Sequence, residues 1–102
     1  MKTTKPTEDT VLLEWCRSGK EAGYTGLYQK YAKMVFNSIY RLVNDRSQAE
    51  DLLQEVFVKA FTEIKSLKNA ESFGGWIKRI AINQSLTFLR KKKIYFEDAE
   101  EI

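Results

Sequence analysis

A chain of 102 residues, 43% apolar and 30% charged, is sized for one globular domain with a modest core and has no room for a second. One cysteine and no histidine exclude an intramolecular disulfide, a four-ligand zinc site and every histidine-assisted nucleophile. The formal charge of +3 hides an asymmetry, because residues 59–93 hold nine lysines and arginines against Glu63 and Glu71, while the closing EDAEEI holds four acids. A basic half fits a polyanionic partner, whose condensed counterions each lysine or arginine can release, and fits a solvated surface as well. No apolar run approaches the roughly 20 residues that span a bilayer. The segment MKTTKPTEDT has no apolar stretch after its lysines, unlike a signal peptide. A cytoplasmic protein is expected.

The single proline, Pro6, precedes every periodic segment, and no stretch alternates with period two, so the chain reads as all-α. A first helix is expected from about Glu8 to Ser18, with Leu12, Leu13, Trp15 and Cys16 on its apolar side and Gly19 as its stop. A second runs from Glu21 or Gly26 to Val43, with Leu27, Tyr31, Val35, Ile39 and Leu42 as one buried stripe, and Asn44-Asp45 breaks it. The third starts at a capping box, either Ser47 with Glu50 or Asp45 with Gln48. From Ala49 through Leu52, Leu53, Val56, Phe57, Ala60 and Phe61 to Ile64 it keeps the helical period. After a polar break at residues 65–71, Ser72 caps a fourth helix. Phe73, Trp76, Ile77, Ile80, Ala81, Gln84 and Phe88 trace one side of that helix, which is expected to fray or end at Arg90–Lys93. The product is a compact bundle of about four helices.

Two surfaces carry chemistry. On the third helix, Glu50, Asp51, Gln54, Glu55 and Lys59 lie opposite the stripe, with Phe57 and Val58 toward its edge. Such a face suits a basic, partly apolar protein partner, or it keeps the outside of a bundle soluble. Its three carboxylates could ligate magnesium through oxygen, but on a helix they are more often a solvated face. The second surface begins at the break. Gly74 and Gly75 each cost up to about 1 kcal/mol against alanine in a helix, which is easier to understand if backbone must come close to something. Trp76, Lys78, Arg79, Asn83 and Gln84 follow, and aromatic, cationic and amide groups together are what single-stranded nucleic acid binding uses. Trp76 fits a base contact or the core equally. Asn83, near the expected buried side, fits a structural hydrogen bond better than a base. Arg90, Lys91, Lys92 and Lys93 fit phosphates, or simply complement the helix dipole.

The stretches AEDLLQEVFVKAFTEI, SLKNAESFGGWIKRIAIN and LRKKK resemble region 2 of the extracytoplasmic-function (ECF) RNA polymerase sigma factors of the sigma-70 family, from about Leu27 to Lys93. The specificity lies in a double motif, D-L-x-Q-E-x-F followed at the right distance by F-x-x-W-[IL]-x-R-I-A-x-N. The resemblance implies a sigma factor domain that binds core RNA polymerase and recognises and melts the −10 promoter element. Glu50, Asp51, Gln54, Glu55 and Phe57 would then meet the coiled coil of the β′ subunit. The segment from Ser66 to Ser72, with Leu67, Lys68 and Asn69, would capture a base flipped from the non-template strand. Phe73, Trp76 and Asn83 would lie at the melting and reading surface, and Lys78, Arg79, Arg90, Lys91 and Lys92 would follow phosphates. An anti-sigma protein is a further expected partner, with no cofactor, metal or membrane. Two departures stand out. Several relatives carry a larger side chain where this chain has Gly74-Gly75, so a side-chain base contact from there is lost. The family also continues through a linker into a helix-turn-helix domain. Residues 1–93 are expected to be the region 2 domain and 94–102 the start of that linker, the chain being a fragment without the second domain.

Two rival readings belong to other classes. A helical adaptor bound only by a protein, such as an anti-sigma factor, would not require the aromatic and basic surface after Phe73. A small helix-turn-helix repressor needs a turn of about three or four residues, shorter than the break here. An enzyme is the least expected class.

Overall fold

The computed structural model describes residues 8–69 and 72–100, with side chains through residue 94. The described chain is all-α, with α1 at Glu8–Arg17, α2 at Glu21–Val43, α3 at Arg46–Thr62, a 3-10 turn at Ile64–Ser66 and α4 at Phe73–Glu100. No helix is long and apolar enough to cross a membrane among the described residues.

α1 stops at Gly19, whose φ of +77° is left-handed and disfavours an L side chain. The chain reverses there, and α1 lies against α2 more closely than its sequence indicates. A Cβ built on Gly23 would sit 2.6 Å from both the Cys16 nitrogen and the Leu12 carbonyl oxygen. One built on Gly26 would sit 2.5 Å from a Leu12 methyl. Leu12, Leu13 and Cys16 are buried in this contact, and burial pushes the Cys16 thiol up, with the Arg17 charge opposing. Trp15, expected on the apolar side, is instead 37% exposed, with the Lys20 ammonium over its ring.

α1 also buries Asp9, which periodicity did not single out. The Lys30 Nζ donates to one carboxylate oxygen at 2.7 Å, and the Tyr31 hydroxyl donates to the other. The bond to Asp9 raises the Lys30 pKa, and burial followed by the Asp9 bond pushes Tyr31 up to about 12.

α2 runs from the earlier of its two expected starts and closes at Asn44, which adopts φ 53° and donates its N–H to the Tyr40 carbonyl. Leu27, Val35 and Ile39 are buried as expected, but Val43 takes the place expected for Leu42, which is 37% exposed. Residues three and four after Ile39 both fit the helical period, and packing selects the second. α3 is capped by Asp45, whose side chain accepts the Gln48 amide at 3.0 Å, while Ser47 lies within the first turn. Of the two candidate caps, the earlier residue, Asp45, is the one that caps the helix. Ile64 seals the core from the 3-10 turn beyond α3.

Phe73, Ile77, Ala81 and Ser85 form a fully buried line along α4, and the Ser85 hydroxyl is satisfied by the Ala81 carbonyl at 2.8 Å. α4 does not end at Arg90–Lys93 but continues to Glu100. Arginine and lysine are good helix formers, and no glycine or proline follows to stop it.

Candidate protein and nucleic-acid interface

The outer face of α3 is built by its register. Glu50, Asp51, Gln54 and Glu55 are all exposed, opposite the buried Leu52, Leu53 and Val56. Glu50 pairs with Arg46 one turn earlier at 3.3 Å, and the Gln54 amide donates to the Tyr28 hydroxyl at 3.4 Å. Asp51 and Glu55 extend the same face. Phe57 does not belong to it. At 3% exposure its ring lies against Tyr28 and Phe61, with centroids 4.8 and 5.6 Å away. The apolar residue on this face is Val58, 65% exposed.

The break after α3 is more structured than its polarity indicates. The Ser66 amide and hydroxyl both donate to the Glu63 carbonyl, and the Leu67 amide donates to the Ile64 carbonyl. Leu67, expected in the base-capturing segment, turns its side chain into the core and so anchors the segment, and its carbonyl accepts the Arg17 guanidinium at 2.7 Å. Lys68 and Asn69 are exposed. The Asn69 carbonyl accepts the Ser72 amide at 3.0 Å. Ala70 and Glu71, part of the expected base-capturing segment, lie outside the described residues.

Phe73, expected at the reading surface, is likewise fully buried and packs inside the fold. Its ring packs against Tyr31 at 5.1 Å and Trp76 at 5.9 Å. Trp76 is only partly buried, one side on the core and the other reachable. The two glycines separate. A Cβ on Gly74 would come within 3.1 Å of the Tyr31 ring, whereas one on Gly75 would meet nothing within 4 Å. Gly74 therefore makes room for a neighbour inside the fold, and no protein contact requires Gly75. Further along α4, Lys78, Arg79 and Asn83 are exposed. Asn83 is not near the buried side, because the buried line passes through Ala81 and Ser85, leaving position 83 between them on the opposite face. Arg90, Lys91 and Lys92 are exposed too, Arg90 donating to the Thr87 hydroxyl at 3.2 Å.

Two grooves border α4. One of about 490 Å³ runs between α3 and α4 over Leu52, Ile80 and Phe88, and its rim brings Glu55 and Lys59 together with Asn83, Gln84 and Lys91. Residues read separately on two helices thus share one cleft. A second, of about 420 Å³, sets Lys78 beside Lys30, Lys33 and Arg41 of α2. Lys30 is committed to Asp9 and Glu8. Lys33 and Arg41 were missed by sequence reasoning, although a signal existed, since α2 carries no acid after Glu21. Among the described residues no three metal-ligating side chains converge.

Residues 27–94 match the family model for sigma-70 region 2. The chain is 32% identical over 85 residues to the ECF RNA polymerase sigma factor SigW of Bacillus subtilis, covering 82% of this chain and 46% of that protein. It is 32% identical over 82 residues to the RNA polymerase sigma-H factor of Pseudomonas aeruginosa, covering 80% and 42% respectively. With the ECF RNA polymerase sigma-E factor of Escherichia coli K12 it shares 30% identity over 81 residues, 79% of this chain and 42% of that one. The chain therefore spans less than half the length of these relatives. No solved structure matches it with significance. The matched segment runs from Leu27 within α2 to Ile94 within α4 and includes every exposed residue named on both faces, and on that footing the chain belongs to the sigma-70 family as an ECF RNA polymerase sigma factor sequence carrying region 2.

Proposed function

We propose that this domain joins core RNA polymerase through the outer face of α3 and opens promoter DNA at the −10 element through the segment after α3 and the outer face of α4. The observation that carries this reading is the division of labour across one groove. Glu55 lines it from α3, with Asp51 and the exposed Val58 farther out on the same helix face, and Asn83, Gln84 and Lys91 line it from α4. The first set suits a basic coiled coil with apolar contacts, such as that of the β′ subunit. Lys68, Asn69, Trp76, Lys78, Arg79 and Asn83 supply the cations, amides and aromatic face that an extruded non-template base and its phosphates require. Strand opening of this kind needs no catalytic group, because differential binding shifts an equilibrium, and we take the domain to be non-enzymatic.

The same reading makes residues 94–102 the start of a linker, continuing the α4 helix without a break as far as Glu100. It also makes an anti-sigma protein a partner, and the bacterial cytoplasm the place of action.

The test is binding to purified core polymerase by fluorescence anisotropy, with Asp51→Ala/Glu55→Ala alongside. Saturable binding that the double substitution weakens at least tenfold, with helicity unchanged, supports the reading. Equal binding by both proteins removes the α3 interface. No binding by folded wild-type protein favours the adaptor held only by a protein partner.

A further inference from the structure

We infer that α1, which precedes the segment matching the family model, is a splint that holds both ends of the nucleic-acid-reading segment. The inference rests on the reading of that segment given above.

At the near end, the Arg17 guanidinium donates to the Leu67 carbonyl at 2.7 Å, across fifty residues of sequence. Leu67 is where the 3-10 turn closes and the chain leaves the core. Its side chain is buried, and the guanidinium fixes its carbonyl as well. A charged donor on a carbonyl is among the stronger hydrogen bonds, and the long Arg17 side chain is otherwise exposed.

At the far end the connection passes through one side chain. Asp9 receives the Tyr31 hydroxyl and the Lys30 ammonium, and this carboxylate is 10% exposed. The Tyr31 ring it orients lies 5.1 Å from Phe73 and sits so close to Gly74 that a Cβ there would approach it to 3.1 Å. Phe73 and Gly74 begin α4, immediately before Trp76. Asp9 and Arg17 are eight residues apart on α1, about 12 Å along a helix axis. One helix thus holds the near flank of the segment carrying Lys68 and Asn69 directly, through Arg17, and the far flank through the Tyr31 side chain of α2.

The consequence is preorganisation. A segment that must receive an extruded base loses binding energy if it has to be ordered at the same time. Arg17, Asp9 and Tyr31 are positioning residues. They reach no base themselves, and their removal loosens the segment without touching the α3 face.

The experiment uses the whole chain in three forms, wild type, Arg17→Met and Tyr31→Phe. Arg17→Met keeps the apolar stem and removes the donor, and Tyr31→Phe keeps the ring and removes the hydroxyl. Amide hydrogen exchange is followed by NMR at Ser66, Leu67 and Ser72, with Val56 and Ile77 as core references. A randomised pool of single-stranded oligonucleotides measures base selection, and core polymerase binding is the control. We expect exchange at Ser66 and Leu67 in Arg17→Met, and at Ser72 in Tyr31→Phe, to rise roughly tenfold while the references do not move. Base selection falls several-fold, polymerase affinity is retained, and Arg17→Lys recovers part of the loss. Unchanged exchange in the segment overturns the splint. Faster exchange with base selection intact overturns its role in reading. If wild type selects no base, the −10 reading fails by itself, and the exchange data still decide whether α1 holds the segment.

Discussion

Two glycines on helices should respond to alanine with opposite signs, and the geometry sets the sizes. Intrinsic propensity favours alanine over glycine inside a helix by about 1 kcal/mol. At Gly75 a new Cβ meets nothing within 4 Å, and φ is not positive, so Gly75→Ala should keep most of that gain, about 0.5–1 kcal/mol. At Gly23 the same atom would lie 2.6 Å from two backbone atoms of α1, which cannot rotate aside as a side-chain tip can. α1 must move outward by several tenths of an ångström at least. Overpacking of this kind costs about 1–3 kcal/mol, and loosening Leu12 and Leu13 from their buried sites adds to it. Net of propensity, Gly23→Ala should destabilise the fold by about 1–3 kcal/mol. Urea denaturation followed by circular dichroism reads both substitutions, and thermal midpoints should move apart by several degrees for each kcal/mol. A Gly23→Ala protein as stable as wild type would mean that the close approach of α1 to α2 is not a constraint of the fold.

Other substitutions separate structural from surface roles. Asp45→Ala should cost about 1 kcal/mol by removing the α3 cap, whereas Ser47→Ala should change stability by less than about 0.5 kcal/mol. Denaturant midpoints distinguish the two, and the reverse order would refute the capping assignment. Phe57→Ala should cost about 3–5 kcal/mol through a cavity between α2 and α3, while Val58→Ala should leave stability within about 0.5 kcal/mol. The Val58 substitution should instead weaken polymerase binding several-fold in the anisotropy assay. Alkaline pH should act through Tyr31, whose proton is held up to about 12 by burial and by its bond to Asp9. Unfolded tyrosine titrates near 10, so this stabilisation is complete below about pH 10 and is lost as pH rises through about 12. Lys30, also raised, acts in the same direction. Urea midpoints measured across that window should fall for wild type and fall less for Tyr31→Phe.

Helix number and most core positions are legible in the sequence, because Leu27, Val35, Ile39, Val56, Phe73 and Ile77 occupy a period that only a helix satisfies. What periodicity leaves open is which of two adjacent residues faces inward. Leu42 and Val43 both continue from Ile39, and Phe57 and Val58 both border the α3 stripe. The partner helix chooses between them. The family resemblance puts Leu67 in a base-capturing segment among polar neighbours, yet a single apolar residue in a short connection is often the one that pins it, and here it is buried. Asp9 had no sequence signal as a buried group, since its partners Lys30 and Tyr31 lie on another helix. Gly23 and Gly26 could only be recognised as packing sites once α1 was placed against them. Of the candidate surfaces, the acids of α3 and the cations of α4 were legible as exposed groups. Their meeting at one groove was not, because it depends on how α3 and α4 lie together.

If the domain binds polymerase and DNA as proposed, that meeting couples the two events. Glu55 shares its groove with Asn83, Gln84 and Lys91, and Lys59, one turn later on α3, compensates it only in part. In the free domain a carboxylate at this rim repels a strand laid along α4. A basic coiled coil seated on α3, as proposed, would neutralise it. Polymerase binding and DNA binding should therefore favour each other, by the same factor in either order, as linkage requires. Across a groove of this size, with screening by about 0.1 M salt, one carboxylate should be worth about two- to tenfold in DNA affinity. Glu55→Gln keeps the size of the side chain and removes the charge. It should raise the affinity of the free domain for single-stranded DNA by that factor, lower its affinity for polymerase, and shrink the gain in DNA affinity that polymerase confers. Weaker or unchanged DNA binding by Glu55→Gln would show that the acidic rim does not govern access to α4.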